Sequence, residues 1–175
     1  MTYSISIGEP EVVGSRVEVD VTASRRLRRF LSDDTFWVEY DESVEQCPDG
    51  ILVVPAVVTL APVAWAAGAT ITVDEIDSTF AESLPDLFSA YQEQYPSIFT
   101  EEVDPVQHSQ VCEYEPSHEQ SSTSSAILFS GGVDSLTSYL KHRDESPALF
   151  TIHGSDLSLE HDKGWQRIRD CETVL

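Results

Sequence analysis

Valine alternates with polar residues through Arg16-Val17-Glu18-Val19-Asp20-Val21, the two-residue period of a strand with one buried face. Tyr3 to Ile7 alternates in the same way, and Gly8 and Pro10 after it read as a turn, so these two stretches predict a strand pair. Thr35 to Tyr40 is aromatic and β-branched and predicts a third strand. From Ile51 to Val73 there are 23 residues without a charge. That length would span a bilayer, but Pro55, Pro62 and Gly68 interrupt it, alanine fills its middle and no positive residue flanks it. The preferred reading is a strand over Ile51–Val54, a buried helical segment broken near Pro62 within Ala56–Ala67, and a strand over Ala69–Val73.

From Ser78 to Tyr95 the period lengthens. Phe80, Leu84, Leu87, Phe88, Tyr91 and Tyr95 share a helical face, which reads as core rather than as a ligand box. Ser83 is the expected cap with Pro85 in the first turn, and Pro96 ends the helix. Val103 to Glu115 predicts one more strand, closed by Pro116. The polar run Pro116–Ser125 is the expected linker between an α+β module, 1–115, and a second segment, 126–175.

In the second segment, Ala126-Ile127-Leu128-Phe129 is a short apolar strand before a glycine turn. Val133, Leu136, Tyr139 and Leu140 then define a helix that ends near Arg143, and Ala148–Ile152 is a second buried strand. A further amphipathic helix opens near Asp162, with Trp165 and Ile168 on its apolar face. Strand, helix, strand at this spacing is the start of a parallel, doubly wound α/β sheet. Such a sheet needs about five or six strands. This segment supplies two, so it is expected to be incomplete: the chain is a piece of a longer protein, or a second polypeptide or another copy completes the sheet.

Charge narrows the functional classes. The chain has 31 Asp and Glu against 10 Lys and Arg, a net charge of −21, and no Lys or Arg between Phe30 and Leu140. Carboxylates spread evenly over a globular sequence suit a salt-adapted protein, in which counter-ions screen self-repulsion; an ordinary acidic protein is the alternative. A broad nucleic-acid surface is disfavoured, because neutralising phosphates takes clustered cations. The exception is Ser24–Phe30, which holds half of the arginines (Arg25, Arg26, Arg28 and Arg29). It reads either as a phosphate contact or, preferably, as a solvated turn paired with Asp33 and Asp34. Cys47, Cys112 and Cys171 are isolated and form no metal or disulfide pattern, which suits a reducing compartment. The N-terminus has no secretory signal pattern, and a cytoplasmic protein without a membrane partner is expected.

The candidate chemistry lies in Ser130-Gly131-Gly132-Val133-Asp134-Ser135. A glycine turn between strand and helix directs backbone N–H groups, Val133 included, and the positive end of a helix dipole at one point, where a phosphate can sit. Gly131 and Gly132 let the backbone approach the anion, and Ser130 and Ser135 add rotatable donors. Asp134 cannot bind phosphate directly; its carboxylate either holds magnesium or caps the helix. The Walker spacing and its lysine are missing.

Ser-Gly-Gly-Val-Asp-Ser after an apolar strand resembles the PP-loop of the N-type ATP pyrophosphatases, whose fold is a flavodoxin-like, adenine nucleotide α-hydrolase sheet. The resemblance spans about 50 residues and is carried by six of them. A loop behind a prefixed domain, with Gly154-x-Asp156 after the second strand, looks most like the 7-cyano-7-deazaguanine synthase-like subgroup. What the resemblance implies is an enzyme that cleaves ATP between its α- and β-phosphates to adenylate a small molecule, a nucleobase or a tRNA. Its cofactors would be ATP and Mg2+, and Asp134 would be the catalytic and metal residue. Backbone atoms near Phe129 and Ile152 would hold adenine, and His153 or Asp156 would touch ribose or metal; ordinary loop chemistry is the alternative for both. A non-catalytic nucleotide sensor, or an interaction fragment acting through 1–115, are the rival functions.

Overall fold

A computed structural model describes residues 3–100, 104, 106–114, 125–155 and 157–174. The chain divides into two compact units, residues 1–115 and 116–175. Both are α/β in character, with a parallel component in each sheet.

The first unit is a five-stranded mixed sheet in the order β3-β2-β1-β4-β5. Strands β1 (Tyr3–Val13), β2 (Arg16–Ala23) and β3 (Thr35–Glu39) form an antiparallel meander. Strands β4 (Ala69–Asp77) and β5 (Gln107–Cys112) add to β1 in parallel. The expected pairing of the first two strands is present, with Ile5 opposite Ala23 and Val13 opposite Arg16. Gly8 and Pro10 do not end β1, however. They lie in a register shift between Ile7 and Pro10, where a bulge accommodates a residue with no N–H to give.

Helices α1 (Asp49–Leu52), α2 (Val54–Ala66) and α3 (Ser78–Gln94) follow. The strand expected over Ile51–Val54 is instead α1 and the start of α2. A four-residue apolar run carries no period of its own, and burial of Leu52 and Val53 decides the matter. Gly50 in α1 packs so closely on β4 and β5 that a β-carbon there would overlap Cys112 Sγ and lie 2.9 Å from the Ile76 carbonyl carbon.

Helix α2 runs through Pro62 without breaking. The proline leaves the carbonyl of Val58 without its helical donor, but Val58 is exposed, so water can serve it. The uncharged stretch is thus folded as helix, turn and strand. Among the described residues no helix is long and apolar enough to cross a membrane.

The cap of α3 is Asp77, whose Oδ1 accepts from the Phe80 N–H at 2.8 Å, not Ser83. Pro85 therefore lies inside the helix rather than in its first turn. Its penalty of about 3 kcal/mol is opposed by burial of Leu84 and Phe88 on either side.

Ile5, Ile7, Val19, Val21, Ile71 and Val73 of the sheet pack against Val57, Leu60, Trp65 and Phe88 of α2 and α3, so both helices cover one sheet face. Trp65 meets Phe88 and Tyr91 edge-on at 5.2 and 5.9 Å, which makes the aromatic stripe of α3 core.

The arginine segment is a turn. Leu27, 1% exposed, anchors it in the core, while Arg28 pairs with Asp34 and Arg26 donates to the Tyr3 hydroxyl at 2.7 Å. Arg28 is thus paired with an acidic neighbour, as the preferred reading expects, while Arg26 meets Tyr3 and the Arg29 guanidinium lies 4.7 Å from the Phe30 ring centroid.

The second unit contains β6 (Ala126–Leu128), α4 (Val133–His142), β7 (Ala148–Phe150) and α5 (Asp162–Val174). Strands β6 and β7 are parallel, with Ala126, Ile127 and Leu128 opposite Ala148, Leu149 and Phe150. Among the described residues this sheet has two strands. The apolar face expected of α4 is largely uncovered: Val133, Leu136 and Leu140 are exposed. Of the expected linker, only Ser125 lies within the described residues.

Candidate nucleotide site

The strand β6 ends at Leu128, and the Phe129 N–H continues the ladder by donating to the Phe150 carbonyl at 2.6 Å. Beyond it the chain turns at Gly131, with φ of 73°, a left-handed conformation that disfavours any side chain. Gly132 is the N-cap of α4 in extended backbone, with no side chain capping it. The first-turn amide groups therefore keep their donors for an incoming group.

Ser135 Oγ donates to the Gly132 carbonyl at 3.0 Å and lies 3.5 Å from Ser130 Oγ. The two hydroxyls flank the mouth of the helix, where the dipole favours an anion. Val133 is 80% exposed, which leaves its backbone open to a ligand.

Asp134 stands in the first turn of α4, exposed, and makes no capping bond. Of its two expected tasks, helix capping is not seen. Among the described residues no group of three His, Cys, Asp or Glu side chains could hold a metal ion. A lone carboxylate is nonetheless enough for magnesium that arrives on phosphate oxygens and keeps its waters.

At the same strand ends lies a cavity of about 220 Å³. Its apolar walls are Phe129, Phe150, Ile152, Leu157, Trp165 and Ile168. Ser130, Thr151 and Ser155 supply hydroxyls, and among the described residues none that lines the cavity is ionisable. The sequence-predicted Phe129, Ser130 and Ile152 are thus brought together. The Phe129 backbone is already engaged on both sides, since its carbonyl also accepts from Thr151 Oγ1 at 2.6 Å. Ile152 sits just past β7, 66% exposed.

His153 does not line the cavity but stacks flat on Trp165, with ring centroids 4.3 Å apart and planes 3° from parallel. Its Nε2 is shut from solvent and has no hydrogen-bond partner among the described residues. Asp156 lies outside the described residues.

Sequence reasoning placed Trp165 and Ile168 on the apolar face of a helix but not in the site. Their i, i+3 spacing was the available signal; which surface that face covers is a tertiary fact. Two exposed pairs lie outside the cavity lining. His142 Nδ1 lies 2.8 Å from Glu145 and holds that carboxyl below its usual range, and the Ser158 hydroxyl does the same for Glu160.

Comparison of the chain with protein-family models, with curated proteins and with solved structures gave no match.

Proposed function

We propose that residues 125–174 hold the nucleotide-binding part of a PP-loop ATP pyrophosphatase with a flavodoxin-like sheet. The observation that carries this reading is the junction of an anion-ready glycine turn with a cavity walled largely by apolar side chains, both at the ends of β6 and β7. A ligand that fits both has a neutral planar part joined to an anionic part. A nucleotide has that form, and crevices beyond the strand ends of α/β sheets are where such ligands collect.

In this reading the cavity takes adenine. The amide groups at the start of α4, with Ser130 and Ser135, take the phosphates. A substrate oxygen attacks the α-phosphorus, the bond from that phosphorus to the bridging oxygen breaks, and pyrophosphate departs with the electron pair. The chain's contribution is electrostatic: fixed dipoles in the loop meet charge as it gathers on the leaving group. Magnesium held by Asp134, water and phosphate oxygens would neutralise part of that charge. The acceptor would be a small molecule or a nucleobase, in the manner of the 7-cyano-7-deazaguanine synthase-like subgroup.

The test is release of AMP and pyrophosphate from magnesium-ATP in concentrated potassium chloride, using the full gene product. Release by the natural protein that disappears in Ser130→Ala with Asp134→Asn supports the reading. Tight binding of ATP without release under any candidate substrate would replace it with a nucleotide sensor. A natural protein that binds no ATP overturns both.

A further inference from the structure

We propose that Trp165 is the residue on which the nucleobase stacks, so that α5 and not the loop discriminates nucleotides from other phosphates. This rests on the nucleotide reading of the site and adds a residue to it.

Helix α5 reaches both parts of the site. Trp165 forms a wall of the cavity, and Ile168, one turn further on, lines it too. Ile168 Cγ1 also lies 3.5 Å from the point a β-carbon on Gly131 would occupy. The cavity and the glycine turn are therefore one continuous surface under one helix face. At about 220 Å³ the cavity is smaller than the roughly 300–1,000 Å³ of sites for drug-sized molecules, which suits a base-sized fragment.

The indole is held for such a task. His153 lies flat on one of its faces, so the ring cannot swing freely, and what remains to the ligand is an apolar surface of fixed orientation. The stack also keeps the imidazole off the cavity lining. An aromatic platform of this kind binds any base through its π-face, and removing one such contact costs roughly tenfold or more in affinity. Phosphates gain nothing from it. Selectivity for a nucleoside moiety then follows from Trp165, and the grip on phosphate from Ser130 to Ser135.

Calorimetric titration of the full chain with ATP, adenosine and tripolyphosphate separates the two. Trp165→Ala is expected to weaken ATP and adenosine at least roughly tenfold and to leave tripolyphosphate unchanged, with Trp165→Phe recovering most of the loss. Far-ultraviolet circular dichroism confirms that the variants keep their helix content. Unaltered ATP binding in Trp165→Ala, beside a clear loss in Ser130→Ala, overturns the stacking role and leaves the nucleotide site standing. Equal loss of tripolyphosphate in Trp165→Ala also overturns it, because the indole would then support the fold and not the base. Failure of the natural chain to bind either ATP or tripolyphosphate removes the nucleotide reading itself.

Discussion

In the first unit Trp65, Ile5, Ile71 and Val57 are each no more than 1% exposed, inside one cluster shared by sheet and helices. In the second, among the described residues, only Phe129 and Pro147 are buried, while Leu128, Phe150 and Ile152 stand open at 72, 55 and 66%. Composition does not explain the contrast, since both segments carry apolar strands and amphipathic helices. Layering does: five strands give α2 and α3 a full face to cover, whereas the two strands of three residues among the described residues of the second unit offer little surface to bury. The candidate site thus sits where packing is shallowest, and open cavities and low local stability go together.

The largest test of that contrast is Trp65→Ala. Removing a core tryptophan should destabilise the first unit by about 3–5 kcal/mol, read as a lowered denaturant midpoint. Trp165→Ala should leave that transition where it is. A shift of similar size in both variants would mean that the two units melt as one.

Glycine sharpens the comparison on a smaller scale. Gly131→Ala should destabilise the loop by about 1–2 kcal/mol through its positive φ and weaken tripolyphosphate binding, with no change in the main unfolding transition. Gly50→Ala should do the reverse, since its methyl meets β4 and β5 in the first unit. Nucleotide binding lost in Gly50→Ala with its folding intact would contradict the assignment.

The smallest effect is chemical. Burial and the nearby Glu75 carboxylate push the Cys112 thiol above its ordinary range, which lowers its thiolate fraction at neutral pH. Cys171 is exposed. Iodoacetamide at pH 8 should therefore modify Cys171 first and Cys112 slowly, with the Cys112 rate still climbing at higher pH. Equal rates by peptide mapping would show that β5 opens more readily than its packing implies.

Strand pattern was legible wherever one face is buried: the valines of β2, the aromatic run of β3 and the apolar start of β4 all announce themselves by period. The short apolar run Ile51–Val54 has no period to distinguish helix from strand, and the other failures come from punctuation that does not end its element. Pro10 is absorbed in a bulge, Pro62 and Pro85 lie inside helices, and Asp77 takes the cap expected of Ser83. At the three prolines tertiary contacts outweigh a local preference of about 3 kcal/mol, whereas the Asp77 cap is itself local, a bond to the N–H three residues on. The glycine loop was legible because its requirement is local, a positive φ beside a helix start. The cavity was not, because Trp165 reaches it only after the chain has passed through β7 and the turn at His153.

The cavity's apolar walls have a consequence for how a ligand would respond to brine. Salting-out strengthens contact between apolar surfaces, while dissolved ions compete with the loop for phosphate. As the medium grows more concentrated, recognition should pass from the phosphate end of the nucleotide to the base end. A fivefold or tenfold change in potassium chloride would then alter which part of the molecule is read, even where overall affinity changes little.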